Sequence, residues 1–172
     1  MFGDNDPRVL RWLVTLSLVG TLVLMGAATY SVALGGWMSC GADFPKCAGV
    51  YAPIFHSAAV LSSQYTAAQI LAEWFHRATA FVTGLLMLTA MIFAWWRVEG
   101  FGGTRWVITL ATAVLPFEAY LGVLTGVPNP SIVLVTIHLF VSLFVLLALA
   151  LASLVLWRSA GKRRRSPGGQ TA

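Results

Sequence analysis

Charge is scarce in this sequence. Six aspartates and glutamates and eleven lysines and arginines make up 10% of its 172 residues, where soluble domains carry about 25%. So little charge cannot clothe a water-soluble surface, and the ordinary soluble class is excluded. Cysteine is almost missing too, with two copies, which leaves a quinone-reducing thiol–disulfide enzyme without the second C-x-x-C pair such enzymes typically need. No folded basic face accompanies the basic C-terminal tail, so no nucleic-acid partner is expected.

What the chain has is apolar: 58% of it is hydrophobic, its mean hydropathy is +0.80, and soluble domains sit at roughly 45–50%. Four stretches reach the roughly 20 residues a helix needs to cross a hydrocarbon core: Trp12 to Leu34, Ala78 to Trp96, Trp106 to Val127 and Ser131 to Trp157. Ser31 and Ala33 mimic a cleavage site, but the first run is longer than the roughly 7–15 residues of a signal core. It is read as a span.

The basic residues orient these spans. Arg8 and Arg11 precede the first, Arg97 and Arg105 bracket the turn between the second and third, and Arg158 with Lys162 to Arg165 follows the fourth. Both termini are therefore expected in the cytoplasm of a multi-pass cell-membrane protein, with residues 35–72 outside. Residues 1–158 form one all-α, integral membrane four-helix bundle in this reading, and 159–172 a disordered basic tail near anionic lipid. Cys40 and Cys47 lie in the outer loop, where a disulfide is the default. Whether it is a plain staple or a redox-active pair stays open.

Within the outer loop, Leu61, Tyr65, Ala68, Leu71 and Phe75 recur at helical spacing, with Ser62, Ser63, Gln64, Gln69 and Glu73 between them. The pattern predicts an amphipathic helix on the outer membrane surface, capped by Ser57, that runs or turns into the second span. Gly20, Gly26, Gly84, Gly122 and Gly126 mark places where helices can approach closely. A planar cofactor between helices would use the same clearance.

Two of the three histidines sit at telling depths. His76 opens the second span, and His138 lies about 10 Å inside the fourth, at about 1.5 Å of rise per residue. Imidazoles from two helices in one leaflet suit a haem iron held edge-on in the bundle. Each alone has a blander reading: His76 as an interfacial donor to a headgroup, His138 as a ring satisfied by Thr136 or a backbone carbonyl. Glu73 shares a helix face with His76 and can orient the ring or move a proton. Arg77 is either the partner of a haem propionate or a snorkelling cation. Glu118 is an intramembrane carboxylate at about the depth of His138, with Pro116 just before it to kink the helix. It is a supporting site residue, or a neutral hydrogen-bond donor. His56 is assigned to the loop without a role.

"SCGADFPKCAG", "EWFHR" and "LGVLTGVPNPSIVLVTIHLFVSL" together resemble the haem A synthase family, in order and over nearly all the chain outside the tail. The resemblance implies oxidation of a methyl group of haem O to the formyl group of haem A by successive hydroxylations. By its motifs His76 and His138 would be axial ligands of a haem iron (haem B, O or A), Glu73 the carboxylate near the reacting edge, and Cys40 with Cys47 an outer pair tied to redox or substrate transfer. Implied partners are haem O, the bilayer, and beyond them haem O synthase or a terminal oxidase. Familiar members have eight spans in two halves, so this chain looks like one half. Either two copies form a homo-oligomer, or one bundle works with one haem. Many members carry an amide where Glu118 stands. The rival readings are a non-catalytic bis-histidine cytochrome b, which needs neither Glu73 nor the cysteines, and a plain structural membrane subunit.

Overall fold

The computed structural model describes residues 7–41, 45–61 and 64–165, with 162–165 described by their backbone alone. Pro7 opens α1 (Pro7–Ala33), at a position where a missing N–H costs nothing. A small hairpin follows, β1 (Lys46–Cys47) paired with β2 (Val50–Tyr51), with Lys46 opposite Tyr51 and Cys47 opposite Val50. Its turn residues, Ala48 and Gly49, both have positive φ, at 50° and 82°, as a tight primed turn requires. A 3-10 turn (Pro53–Phe55) and the one-turn α2 (Ala58–Leu61) lead to α3 (Ala67–Arg97).

The amphipathic segment differs from expectation in its start and in its face. Its N-cap is Thr66, not Ser57: Thr66 and Gln69 form a capping box, in which the Gln69 side chain accepts from the Thr66 N–H at 2.8 Å. The Ser57 carbonyl receives the N–H groups of Val60 and Leu61, and Ser62 and Ser63 lie outside the described residues. From Thr66 the helix runs unbroken into the second span, about 46 Å in all at 1.5 Å per residue, so its first turns overshoot an apolar layer of about 30 Å. Ala68 and Phe75 are exposed, whereas Ile70 and Glu73 are buried. Polar groups turn inward because lipid offers them no partner.

The third span is two helices, α4 (Gly102–Ala113) and α5 (Leu115–Thr125), hinged at Val114. Pro116 causes the break, since it lacks an N–H and its ring crowds the preceding turn. The fourth is α6 (Ile132–Arg165). It continues through 159–165, a stretch expected to be disordered, since Gly161 weakens a helix without ending it; residues 166–172 lie outside the described residues. All four spans, Pro7–Ala33, Ala67–Arg97, Gly102–Thr125 and Ile132–Gly161, are long and apolar enough to cross a membrane, and the chain is an all-α multi-pass membrane bundle.

The helices close at one end. There Leu10 and Val14 of α1, Met87, Ala90 and Ala94 of α3, Ile108 and Ala111 of α4, and Leu149, Ala152 and Leu156 of α6 form one buried cluster. Arg11 over Trp157 (5.1 Å) and Arg105 over Trp95 (5.8 Å) ring the same end. At the other end α3 stays with α1, and α5 stays with α6. A smaller cluster of Cys40, Cys47, Leu61 and Ile70 roofs α3.

Two glycines let α1 and the loop after it approach α3 closely. A Cβ at Gly20 would meet Thr83 Oγ1 at 2.5 Å, and one at Gly36 would meet the Gln69 carbonyl oxygen at 2.8 Å. Gly26 has nothing within 4 Å, and Gly84 meets only Leu115, at 3.9 Å. Gly36→Ala is therefore expected to lower stability in detergent by about 1–3 kcal/mol, since backbone must move, while Gly26→Ala stays within about 0.5 kcal/mol of the parent; denaturation of the two variants side by side checks this.

Candidate functional site

The first turns of α3 carry Glu73, His76 and Arg77 at spacings that bring them onto one face. Glu73 is only 5% exposed, and both carboxylate oxygens are held. Arg77 Nε donates to Oε1 at 2.8 Å, and the hydroxyl of Ser31, from α1, donates to Oε2 at 2.8 Å. His76 Nδ1 lies 3.6 Å from Oε2, too far for a hydrogen bond, and is buried with no hydrogen-bond partner. A charged carboxylate is paired here, as burial demands, while an imidazole beside it is left unsatisfied.

The loop after α1 fixes the height of this group. Gln69 donates from Nε2 to the Leu34 carbonyl at 2.8 Å, and Ser39 donates to the Gln69 carbonyl at 3.2 Å. Cys40 and Cys47 form a disulfide. Its sulfurs lie 4.0 and 3.7 Å from the Ile70 carbonyl oxygen, one turn before Glu73. Cys40 is 4% exposed and Cys47 0%, so the pair sits as a staple over the start of α3 and is shielded from an attacking thiolate, whose rate depends on access.

A second cluster joins α5 to α6. Glu118, Gly122 and Thr125 share one face of α5, and His138 lies along it. Its Nε2 is 3.2 Å from Glu118 Oε1, its Nδ1 is 3.5 Å from Thr125 Oγ1, and a Cβ at Gly122 would meet Cε1 at 3.5 Å. The Ser142 hydroxyl also donates to Glu118 Oε1, and Glu118 Oε2 is buried without a partner. Thr136, the partner weighed for His138, instead donates to the Ile132 carbonyl at 2.7 Å.

The structure thus brings Glu73, His76 and Arg77 together, and separately His138 with Glu118. The carboxylate beside His76, that of Glu73, is on α3, whereas the groups beside the His138 ring, Glu118, Gly122 and Thr125, are on α5. His56 is exposed in the loop. Ser31, Ser142 and Thr125 belong to these clusters and were missed by the sequence reading; Ser31 drew notice only as half of a small-x-small pattern with Ala33.

Comparison with known proteins identifies the family. The family described as cytochrome oxidase assembly protein matches residues 10–172. The chain belongs to that family. Among curated relatives, it is 23% identical over 157 residues to the heme A synthase of Bacillus licheniformis, covering 91% of this chain and 48% of that protein. It is 24% identical over 147 residues to the heme A synthase of Bacillus pumilus, covering 85% and 44%, and 21% identical over 150 residues to that of Geobacillus kaustophilus, covering 87% and 44%. The chain spans about half the length of the curated relatives it matches. No solved structure matches it.

Because the disulfide closes a short loop, replacing both Cys40 and Cys47 by serine is expected to cost roughly 2–3 kcal/mol of stability. In the native protein the bond should resist a reductant that opens it readily in denaturant, as counted by the mass gained on thiol alkylation.

Proposed function

We propose that this chain binds haem between its two helix pairs and takes part in the oxidation of the haem O methyl group to the formyl group of haem A. The observation that carries this reading is the unsatisfied imidazole of His76 beside a buried, fully clamped carboxylate. An orphaned buried nitrogen needs a reason, and a ring whose one nitrogen faces Glu73 has the other, Nε2, for a metal. The residues fit a haem in three further respects. Arg77 is 22% exposed at its side chain and suits a propionate, Gly26 has open space beside it and Gly84 room for a Cβ against Leu115, and α3 is not closely packed on α5 or α6. His138 fits as second ligand once its ring exchanges the Glu118 contact for iron.

When bound, the haem supplies a redox-active iron, and as haem O also the methyl group to be oxidised. The protein's own groups hold and orient it. Glu73 sits where it can fix the His76 ring or hold a proton at Oε2 near the reacting edge. Arg77 neutralises Glu73 through Nε and keeps its remaining donors for an anionic substituent. The disulfide holds the first turn of α3, and so Glu73, at its depth.

The arginines and tryptophans ring the closed end, which supports placing that end in the cytoplasm and the disulfide loop outside. A homo-oligomer of two bundles would match the length of the relatives. A bis-histidine cytochrome b, the second reading, uses the same imidazoles but leaves the clamped Glu73 without a purpose.

Expression in cells that supply haem O, followed by pigment extraction, tests the function: haem A in the membrane supports it, and haem B alone points to an electron carrier. His76→Ala and His138→Ala should each abolish haem A and alter the bound-haem spectrum, and unchanged pigment in both would defeat the assignment. Glu73→Ala should keep haem yet lose about 10²–10⁴-fold in conversion; full activity removes Glu73 from the mechanism.

A further inference from the structure

Hydroxyls inside apolar helices ordinarily return to their own backbone, bonding the carbonyl one turn back. This chain does so repeatedly: Ser17 donates to Leu13, Thr21 to Ser17, Thr29 to Met25, Thr89 to Leu85 and Ser159 to Val155, all at 2.8–2.9 Å. Ser31 breaks the habit. Its single proton goes across the helix interface to Glu73 Oε2 at 2.8 Å, at a position only 1% exposed.

The place is mechanically firm. Ser31 lies between two close contacts with α3, Gly20 of α1 on Thr83 and Gly36 of the following loop on Gln69, and its carbonyl accepts the Gly36 N–H at 2.8 Å. Glu73 Oε1 is tied by Arg77 from within α3, so the tie from Ser31 decides where Oε2 stands. At present Oε2 stops 3.6 Å from His76 Nδ1, a few tenths of an ångström beyond hydrogen-bonding range.

We propose that Ser31 is a positioning residue for the haem site: its hydroxyl draws Glu73 Oε2 toward α1 and withholds it from His76 Nδ1. This rests on His76 being a haem ligand. The consequence is chemical. A carboxylate that accepts fully from the distal nitrogen of a ligating imidazole makes the ring a stronger donor to the metal, which favours the oxidised iron. Ser31 therefore keeps His76 a weaker donor and keeps Oε2 available at a defined point. The other serine and threonine hydroxyls of α1 are spent on backbone or on the closed end of the bundle, and Tyr30 is exposed.

The test uses the full chain loaded with haem B, comparing the parent with Ser31→Ala, Ser31→Thr and the control Thr29→Ala. Ser31→Ala is expected to bind haem B, to lower the midpoint reduction potential of the bound haem, and to lose conversion of haem O at least tenfold. Ser31→Thr, which restores a hydroxyl, should return both toward the parent, and Thr29→Ala should match the parent throughout. An unshifted potential in Ser31→Ala overturns the proposal, whether conversion is kept or falls, because a fall without the shift reveals only packing. The ligand reading fails separately, if His76→Ala leaves the haem spectrum of the parent unchanged.

Discussion

A carboxylate buried among membrane helices dictates what surrounds it. Glu73 is nearly inaccessible, and neither lipid nor the bundle interior can solvate a charge, so its partners must be built in. Arg77 is supplied from one turn along the same helix, and Ser31 from the neighbouring one. The close contacts of Gly20 and Gly36 with α3, the capping box at Thr66 and Gln69, and the roof of Cys40 and Cys47 over Ile70 all surround the segment that carries that group.

The bundle divides its labour along its length. The end ringed by Arg11, Arg105, Trp95 and Trp157 is packed solid by small and branched side chains, and gives the molecule its rigidity. Toward the other end the helices separate into two pairs, α1 with α3 and α5 with α6. Each pair carries one histidine with a carboxylate beside it. That symmetry of content is not a symmetry of state: Glu73 is clamped and leaves His76 Nδ1 unpartnered, whereas Glu118 engages His138 directly and keeps one oxygen unsatisfied. One imidazole thus has a nitrogen without a hydrogen-bond partner, and the other is engaged by a carboxylate.

Pro116 explains why the second cluster exists at all. By breaking the third span at Val114 it starts a fresh helix whose face bears Glu118, Gly122 and Thr125 together, and Gly122 leaves the clearance in which the His138 ring lies. The sequence showed the proline and the carboxylate, but not that the carboxylate, the glycine and the threonine would all be spent on one ring.

What the residues determined by themselves was local: four apolar runs of spanning length, basic residues gathered at one set of ends, and Glu73, His76 and Arg77 on one helical turn, because those depend only on composition and on spacing along a single helix. The family resemblance was legible for the same reason, in short contiguous motifs. Which side of α3 turns inward, that Ser31 reaches Glu73, and that His138 folds onto α5 were decided only by the tertiary structure. In water, apolar periodicity reveals the buried face of a helix; in a membrane both faces are apolar, so the rotation of each helix about its axis, and every contact that rotation selects, is settled by packing between helices.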